Sequence, residues 1–287
     1  MKIWFHTFLE LVKIRITFAV MLTTVAGYIL YSNHFSAQML LSVFGIFLLA
    51  CSSAALNHIQ EFRYDALMER TRNRPIPSGR ISVFQAWTIV ILLAVLGLLL
   101  IYQGSNTVGA ILGFSAMIWY NGIYTYLKRV TAYAVIPGSV IGAIPPLVGW
   151  VAAGGTLSHP SALLIGIFFF IWQVPHFWLL LMKYGQQYEV AGFPVITKIY
   201  SRKLIYAFTF IWVLATAIIA FMLPYFGILR SYSAMVGILL SSIWLVIVFG
   251  KLYRDHETEF SPKKYFMRLN FYILFIVILM VVDHWLI

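Results

Sequence analysis

Asn57, Glu61 and Asp65 recur at every fourth position where a long apolar run ends. On an α-helix that spacing drifts by about 40° per step, so the three side chains share one face over about 12 Å. A stripe of oxygen ligands suits a hard divalent cation such as Mg²⁺, which takes carboxylates together with the phosphate oxygens of a substrate. Arg70, Arg72 and Arg74 follow at once, and guanidinium groups beside a metal–carboxylate stripe match a diphosphate. The plainer reading is a solvated basic loop whose acids balance its arginines. Against it, the ligand stripe runs directly out of an apolar segment.

Two later stretches also carry chemistry. In Tyr124-Thr-Tyr-Leu-Lys128-Arg129-Val-Thr131, two cations stand just outside an apolar run, next to Ile141-Gly-Ala-Ile-Pro145-Pro146-Leu-Val-Gly149-Trp150. Lys128 and Arg129 can hold a diphosphate or a carboxylate, or simply flank a membrane segment. In Trp172-Gln-Val-Pro-His176-Phe177, a histidine lies inside an apolar run. An ionisable residue there is a functional candidate, the alternative being a neutral histidine bonded between helices. Lys183, Gln187, Tyr188 and Glu189 follow at the end of that run, before Gly192 and Pro194.

The elements that position these residues are membrane helices. Of 287 residues, 62% are hydrophobic and only 10% charged, with a mean hydropathy of +0.89. Soluble domains are about 45–50% apolar and about 25% charged, so soluble enzymes, disordered chains and disulfide scaffolds are excluded. The runs are continuous, unlike the alternating strands of about ten residues in membrane barrels. Nine stretches can span about 30 Å of hydrocarbon: 15–33, 38–57, 82–102, 107–126, 134–153, 161–182, 204–224, 231–250 and 267–286. The fifth contains Pro137, Pro145 and Pro146; freed backbone groups need neighbours or a wet cavity, so this helix is expected to be broken and to line a site. The fold class is thus an all-α polytopic membrane protein of about nine spans, expected to form a single domain over 1–287.

The formal charge of +11 would suggest nucleic acid in a soluble protein, but its distribution gives another meaning. With nine spans, 19 of the 20 basic residues, Lys2 and Arg254 among them, fall on one side, and only Arg230 on the other. The positive-inside rule makes that side cytoplasmic, so the chemistry is expected there. Residues 1–12 read as an amphipathic helix on the membrane surface, and the N-terminus shows neither a small-residue cleavage site nor transit-peptide character. Cys51 reads as a buried, inert thiol. Trp4, Trp150 and Trp285 read as interfacial anchors, Trp119 as a packing residue between helices, and His58 as either a support for Asn57 or a solvent-facing side chain. Asp283 and His284 are expected to reach the opposite interface. The polar loops after spans two and six suggest two related four-helix halves.

The first stretch resembles the first aspartate-rich motif of the UbiA superfamily of intramembrane prenyltransferases, Asn-x-x-x-Asp-x-x-x-Asp followed by Met-x-Arg-Thr-x-x-Arg-Pro. Asn57, Glu61, Asp65, Met68, Arg70, Thr71, Arg74 and Pro75 fall in register, with Glu61 in place of the usual first Asp. Arg63 stands where many members carry a further Asp. The second and third stretches are similar to signatures of the protoheme IX farnesyltransferase (haem O synthase) branch: Tyr-Thr-x-Leu-Lys-Arg-x-Thr, Gly-Ala-x-Pro-Pro-Leu-x-Gly-Trp, Trp-Gln-x-Pro-His-Phe and Lys-x-x-x-Asp-Tyr-x-x-Ala-Gly-x-Pro. Ala134 replaces an Asn, Pro137 an aliphatic residue, and Gln187 the Asp of the last signature. Glu189, two residues on, either substitutes for that Asp or leaves the metal to the first motif.

The resemblance implies a UbiA-like bundle that transfers a farnesyl group from farnesyl diphosphate to a vinyl carbon of protoheme IX. Asn57, Glu61 and Asp65 are then the Mg²⁺ ligands, and Arg70, Arg74, Lys128 and Lys183 face the diphosphate. Arg129 or Lys183 pairs with haem propionates, His176 faces the macrocycle, and Tyr188 and Glu189 belong to the substrate site. Haem is a substrate here, not a cofactor. The implied setting is the bilayer of a bacterial inner membrane, near a haem-modifying enzyme or terminal oxidase assembly. Two alternatives are a prenyltransferase for another aromatic acceptor, such as a quinone precursor, and a non-catalytic haem-binding or transport protein.

Overall fold

The computed structural model describes residues 2–254 and 261–286; the side chains of residues 2, 3, 253, 254 and 285 are outside that description, as is the anchoring role expected of Trp285. A short helix, α1 (Lys2–Leu11), precedes two long ones, α2 (Ile14–Ser32) and α3 (Ala37–Asp65). Then come α4 (Val83–Gly104), α5 (Thr107–Met117), a π-helical segment Ile118–Tyr124 and α6 (Thr125–Leu127). A 3₁₀ turn, Ala132–Ala134, leads into α7 (Val135–Gly138) and α8 (Val140–Ala152). The remainder is α9 (Pro160–Val190), the single turn α10 (Ile196–Ile199), α11 (Arg202–Tyr225), α12 (Tyr232–Arg254) and α13 (Pro262–Leu286).

Among the described residues, eight segments are long and apolar enough, as helices, to cross a membrane. The span expected at 107–126 is helical throughout, but most of its second half is π rather than α, so it is not one uninterrupted α-helix. A π segment carries an extra residue per turn and is frequent at functional sites. Here it turns Asn121 toward α3, where Nδ2 donates to the Ser53 carbonyl at 3.0 Å and to Gln60 Oε1 at 3.1 Å. The span expected at 134–153 is broken as anticipated, at Ser139 between α7 and α8. Trp119, between helices as expected, donates its indole N–H to the Pro137 carbonyl at 2.7 Å.

Small residues let the helices approach. A Cβ on Gly149 would stand 2.0 Å from the Thr24 carbonyl oxygen, and one on Gly27 would stand 1.9 Å from that of Pro146, so α2 and α8 touch backbone to backbone. Where lipid is as apolar as the side chains, such close packing is a main source of association. Ser82 opens α4 with a capping box closed by Gln85, satisfying backbone donors at a helix start. On the loop side, α1 buries Leu11 with Ile59, Ile76 and Ile81, leaves Trp4 and Phe5 exposed, and pairs Glu10 with Arg80 at 2.7 Å.

One anchoring expectation changes. Trp150 is 3% exposed, donates to the Thr156 carbonyl at 3.2 Å and packs on Tyr31 and His159; it is a core residue because its N–H finds a partner in the loop that follows its own helix. Asp283 accepts the Arg230 backbone N–H at 2.6 Å and that of Ser231 at 3.1 Å, so it holds the loop that precedes α12, and Ser231 caps that helix by accepting the Ala234 N–H at 3.1 Å. Cys51 is buried and free.

Candidate active site

The α3 helix carries the ligand stripe beyond the apolar run without interruption, so Asn57, Glu61 and Asp65 lie along one face, all buried. Each faces a cation. Lys13 Nζ donates to Asn57 Oδ1 at 2.7 Å. Lys128 pairs with Glu61. Arg74 Nη1 reaches both oxygens of Asp65 at 2.8 Å. The stripe therefore brings three oxygen residues and three cations from four chain segments into one cluster. Asn57 Nδ2 also donates to Thr125 Oγ1 at 3.3 Å, and Thr125 in turn donates to the Tyr120 carbonyl at 2.9 Å, inside the π segment.

Lys13 was visible in sequence only as one more basic residue before the first span. It sits in the turn between α1 and α2 with φ of 50°, a left-handed conformation that costs a non-glycine residue about 1 kcal/mol or more. That turn aims it at Asn57, 44 residues away. Loss of hydration, then the nearby Arg74 charge, push its ammonium down to about 7 from 10.5, against the opposing pull of Glu61. The unfolded chain thus holds a proton that the folded chain lacks between about pH 7 and 10.5, so this group makes stability rise with pH across that window. The metal-free wild type is expected to gain thermal stability between these limits relative to Lys13→Met. Parallel melting curves of the two proteins across pH would show no narrowing or widening if Lys13 keeps an ordinary ammonium.

The other named residues form two groups. Lys128 lies over Tyr124 and Phe193, at 5.6 and 5.7 Å from the ring centroids, and so connects the stripe to the loop after α9. Arg129 donates to the Gln60 carbonyl at 2.8 Å and lies between Tyr64 and Tyr126. Tyr188 packs on Phe193, which packs on Tyr64, so the two motif loops meet. Arg70 is exposed, with its guanidinium 4.6 Å from the Tyr184 ring. Lys183 lies 4.6 Å from the same ring. His176 Nδ1 bonds Asn270 Oδ1 of α13 at 2.9 Å. His58 is buried beside Asn57 rather than solvent-facing, and its ring nitrogens have no hydrogen-bond partner among the described residues.

Gln187 and Glu189 resolve differently. Gln187 Oε1 accepts the Arg70 backbone N–H at 3.2 Å and so faces the first motif. Glu189 points away and pairs with Lys198 at 2.7 Å on the exposed surface. Its two-residue offset on a continuous helix turns it from the site, so the idea that it fills the position of the missing Asp is not supported by its placement. Exposed pairs of this kind are worth about 0–1 kcal/mol. Glu189→Gln is expected to change turnover by less than about fivefold; steady-state rates of the two proteins decide this, and a loss as large as that of Asp65→Asn would return Glu189 to the site.

Residues 20–276 match the model of the UbiA prenyltransferase family. The chain belongs to the UbiA prenyltransferase family. It is 33% identical over 274 residues to a protoheme IX farnesyltransferase of Oleidesulfovibrio alaskensis, covering 96% of this chain and 95% of that one. It is 40% identical over 190 residues to the enzyme of that name from Hahella chejuensis, covering 65% and 63% of the two chains. The fold is similar to that of a digeranylgeranylglyceryl phosphate synthase structure, with a TM-score of 0.81 at 18% identity over the whole of both chains. It also matches a UbiA homologue from Archaeoglobus fulgidus bound to GPP and Mg²⁺, with a TM-score of 0.68 at 15% identity over 98% of this chain and 100% of that one. The protein is an integral membrane protein of this family, and its helical bundle is the family's.

The donor set fits Mg²⁺ in kind: an amide oxygen and two carboxylates, with no sulfur or imidazole ligand on the stripe. Among the described residues no three His, Cys, Asp or Glu side chains are placed so that they could hold a metal ion by themselves. With only two acids, the stripe would hold Mg²⁺ together with substrate oxygens, as such sites commonly do.

Proposed function

We propose that this protein transfers a farnesyl group from farnesyl diphosphate to a vinyl group of protoheme IX, forming haem O. The observation that carries this reading is the stripe of Asn57, Glu61 and Asp65 facing Lys13, Lys128 and Arg74 at one end of a UbiA bundle, in a chain similar along nearly its full length to protoheme IX farnesyltransferases. A prenyl chain dissolved in lipid gains little on entering an apolar pocket. Affinity and orientation therefore come from charge contacts at the headgroup, which explains why the few charges gather on one face.

Asn57, Glu61 and Asp65 would hold Mg²⁺. A bound ion would supply Lewis-acid neutralisation of the diphosphate oxygens there. Lys128, Arg74 and Arg70 take the charge that develops as the C1–O bond of farnesyl diphosphate breaks, a preorganised electrostatic stabilisation. The allylic carbon then bonds to the terminal vinyl carbon of haem, and water adds to the resulting cation with loss of a proton. The product carries a hydroxyethylfarnesyl group, and diphosphate departs. The Tyr120, Tyr124 and Phe177 rings, stacked at 5.9 and 5.7 Å, run from beside Lys128 toward His176 and offer the reacting groups an aromatic, water-poor wall. The site face is cytoplasmic in this reading. A cysteine placed by Ser78→Cys is expected to resist an impermeant thiol reagent in intact cells and to react in inverted vesicles; labelling from outside would reverse the topology.

The test of function is direct competition of acceptors. Purified protein with farnesyl diphosphate and Mg²⁺ is expected to farnesylate protoheme IX and to leave 4-hydroxybenzoate unmodified. Turnover of the aromatic acid alone would assign the chain to another branch of the family.

A further inference from the structure

One cavity lies outside the site described above, on the same face, among the ends of α9, α10, α11 and α13. Its volume is about 600 Å³, within the roughly 300–1,000 Å³ of small-molecule sites. Lys183, Gln186, Thr197, Ser201 and Arg202 supply polar lining, and no acid is among the described lining residues. Neither Lys183 nor Arg202 has an ion-pair partner among the described residues, although Glu189 and Lys198 pair close by.

We propose that this cavity binds the carboxylates of the acceptor, which makes Lys183 and Arg202 specificity-determining residues; the inference rests on the reading of the protein as a haem farnesyltransferase. Charge is the first argument: two cations with no acid among the described lining residues, one of them, Arg202, opening a 24-residue helix whose N-terminus favours anions. Position is the second. Arg70 of the first motif and Lys183 of the cavity each lie 4.6 Å from the centroid of the Tyr184 ring, so one aromatic side chain joins the diphosphate side to the carboxylate side.

Shape is the third argument. From Lys183, two turns of α9, about 10 Å, lead into the bundle to His176, whose ring lies 5.0, 5.7 and 4.7 Å from those of Trp172, Phe177 and Phe266. Along α13, Pro262 at the cavity, Phe266 and Asn270 follow at intervals of four and so share a face. Protoheme IX is a flat apolar ring with both acids on one edge and its vinyl groups away from them. Acids held by Lys183 and Arg202 place the ring along this aromatic band and leave the vinyl side toward Lys128, which lies over the Tyr124 ring stacked on Phe177. A small aromatic acceptor would not span both.

The test uses the full chain in detergent and two probes, iron protoporphyrin IX and its dimethyl ester, titrated optically. The wild type is expected to prefer the free acid by about tenfold or more, the worth of one or two charge-assisted hydrogen bonds. Arg202→Gln and Lys183→Gln should each remove most of that preference while leaving ester affinity unchanged, and Arg202→Lys should keep it. Equal binding of acid and ester by the wild type, or a preference untouched in both glutamine variants, overturns the carboxylate site. So does native mass spectrometry showing a phospholipid held by the wild type and lost in Arg202→Gln with the acid preference intact. Binding of farnesyl diphosphate with no binding of either porphyrin overturns the functional reading itself.

Discussion

Asp65→Asn is expected to lower prenyl-transfer turnover by about a hundredfold or more, the scale of losing one strong electrostatic contributor to a transition state. Asp65 is fully buried, and both its oxygens accept from Arg74 Nη1 at 2.8 Å. The substitution keeps size and one acceptor but removes one of only two acids on the stripe, so metal affinity falls together with the anchoring of Arg74. Breaking a buried pair also costs about 3–5 kcal/mol of stability. Rates are therefore compared per folded protein, with helicity and gel-filtration profile recorded beside them. Folded Asp65→Asn protein with near-normal turnover would remove Asp65 from the metal site.

Chelation of divalent metal is expected to abolish turnover and leave the fold intact. Removing a metal from a buried carboxylate cluster usually leaves repulsive charges, but here Glu61 and Asp65 are paired by Lys128 and Arg74, and Asn57 is held by Lys13. The same lysines have long, flexible stems and can move from the ligands to the diphosphate when metal and substrate enter. Circular dichroism and melting temperature in excess chelator should match those of the untreated protein, and Mg²⁺ should restore activity. Full turnover in chelator would exclude the metal assignment, and unfolding would show that the lysine and arginine partners do not compensate the stripe.

The stripe itself was legible because the apolar run before Asn57 sets a helix whose face can be counted forward to Asp65. The expectation that nearly all basic residues share one side comes from the same counting of spans and their flanking charges. The cation partners were less legible. Lys13 meets Asn57 across 44 residues, and no local pattern announces a contact made by tertiary packing. The π segment escaped because one extra residue per turn leaves the hydrophobic run unchanged while rotating Asn121 onto α3. A lone asparagine in an apolar span was the available signal. Trp150 looked like an anchor because aromatic residues near span ends commonly are, yet the loop carbonyl of Thr156 gives its N–H a buried partner. Glu189 shows the converse: residue type suggested a ligand, and helical phase turned it to Lys198.

The central claim is that the α3 stripe carries haem farnesylation. Its most direct test is mass spectrometry of haems extracted from cells that lack their own haem O synthase and express this chain or its Asp65→Asn variant. Wild type is expected to yield haem whose mass is increased by one farnesyl group and one hydroxyl group, and the variant only protoheme. Protoheme alone from well-expressed wild type, or equal farnesylated haem from both, would contradict the account.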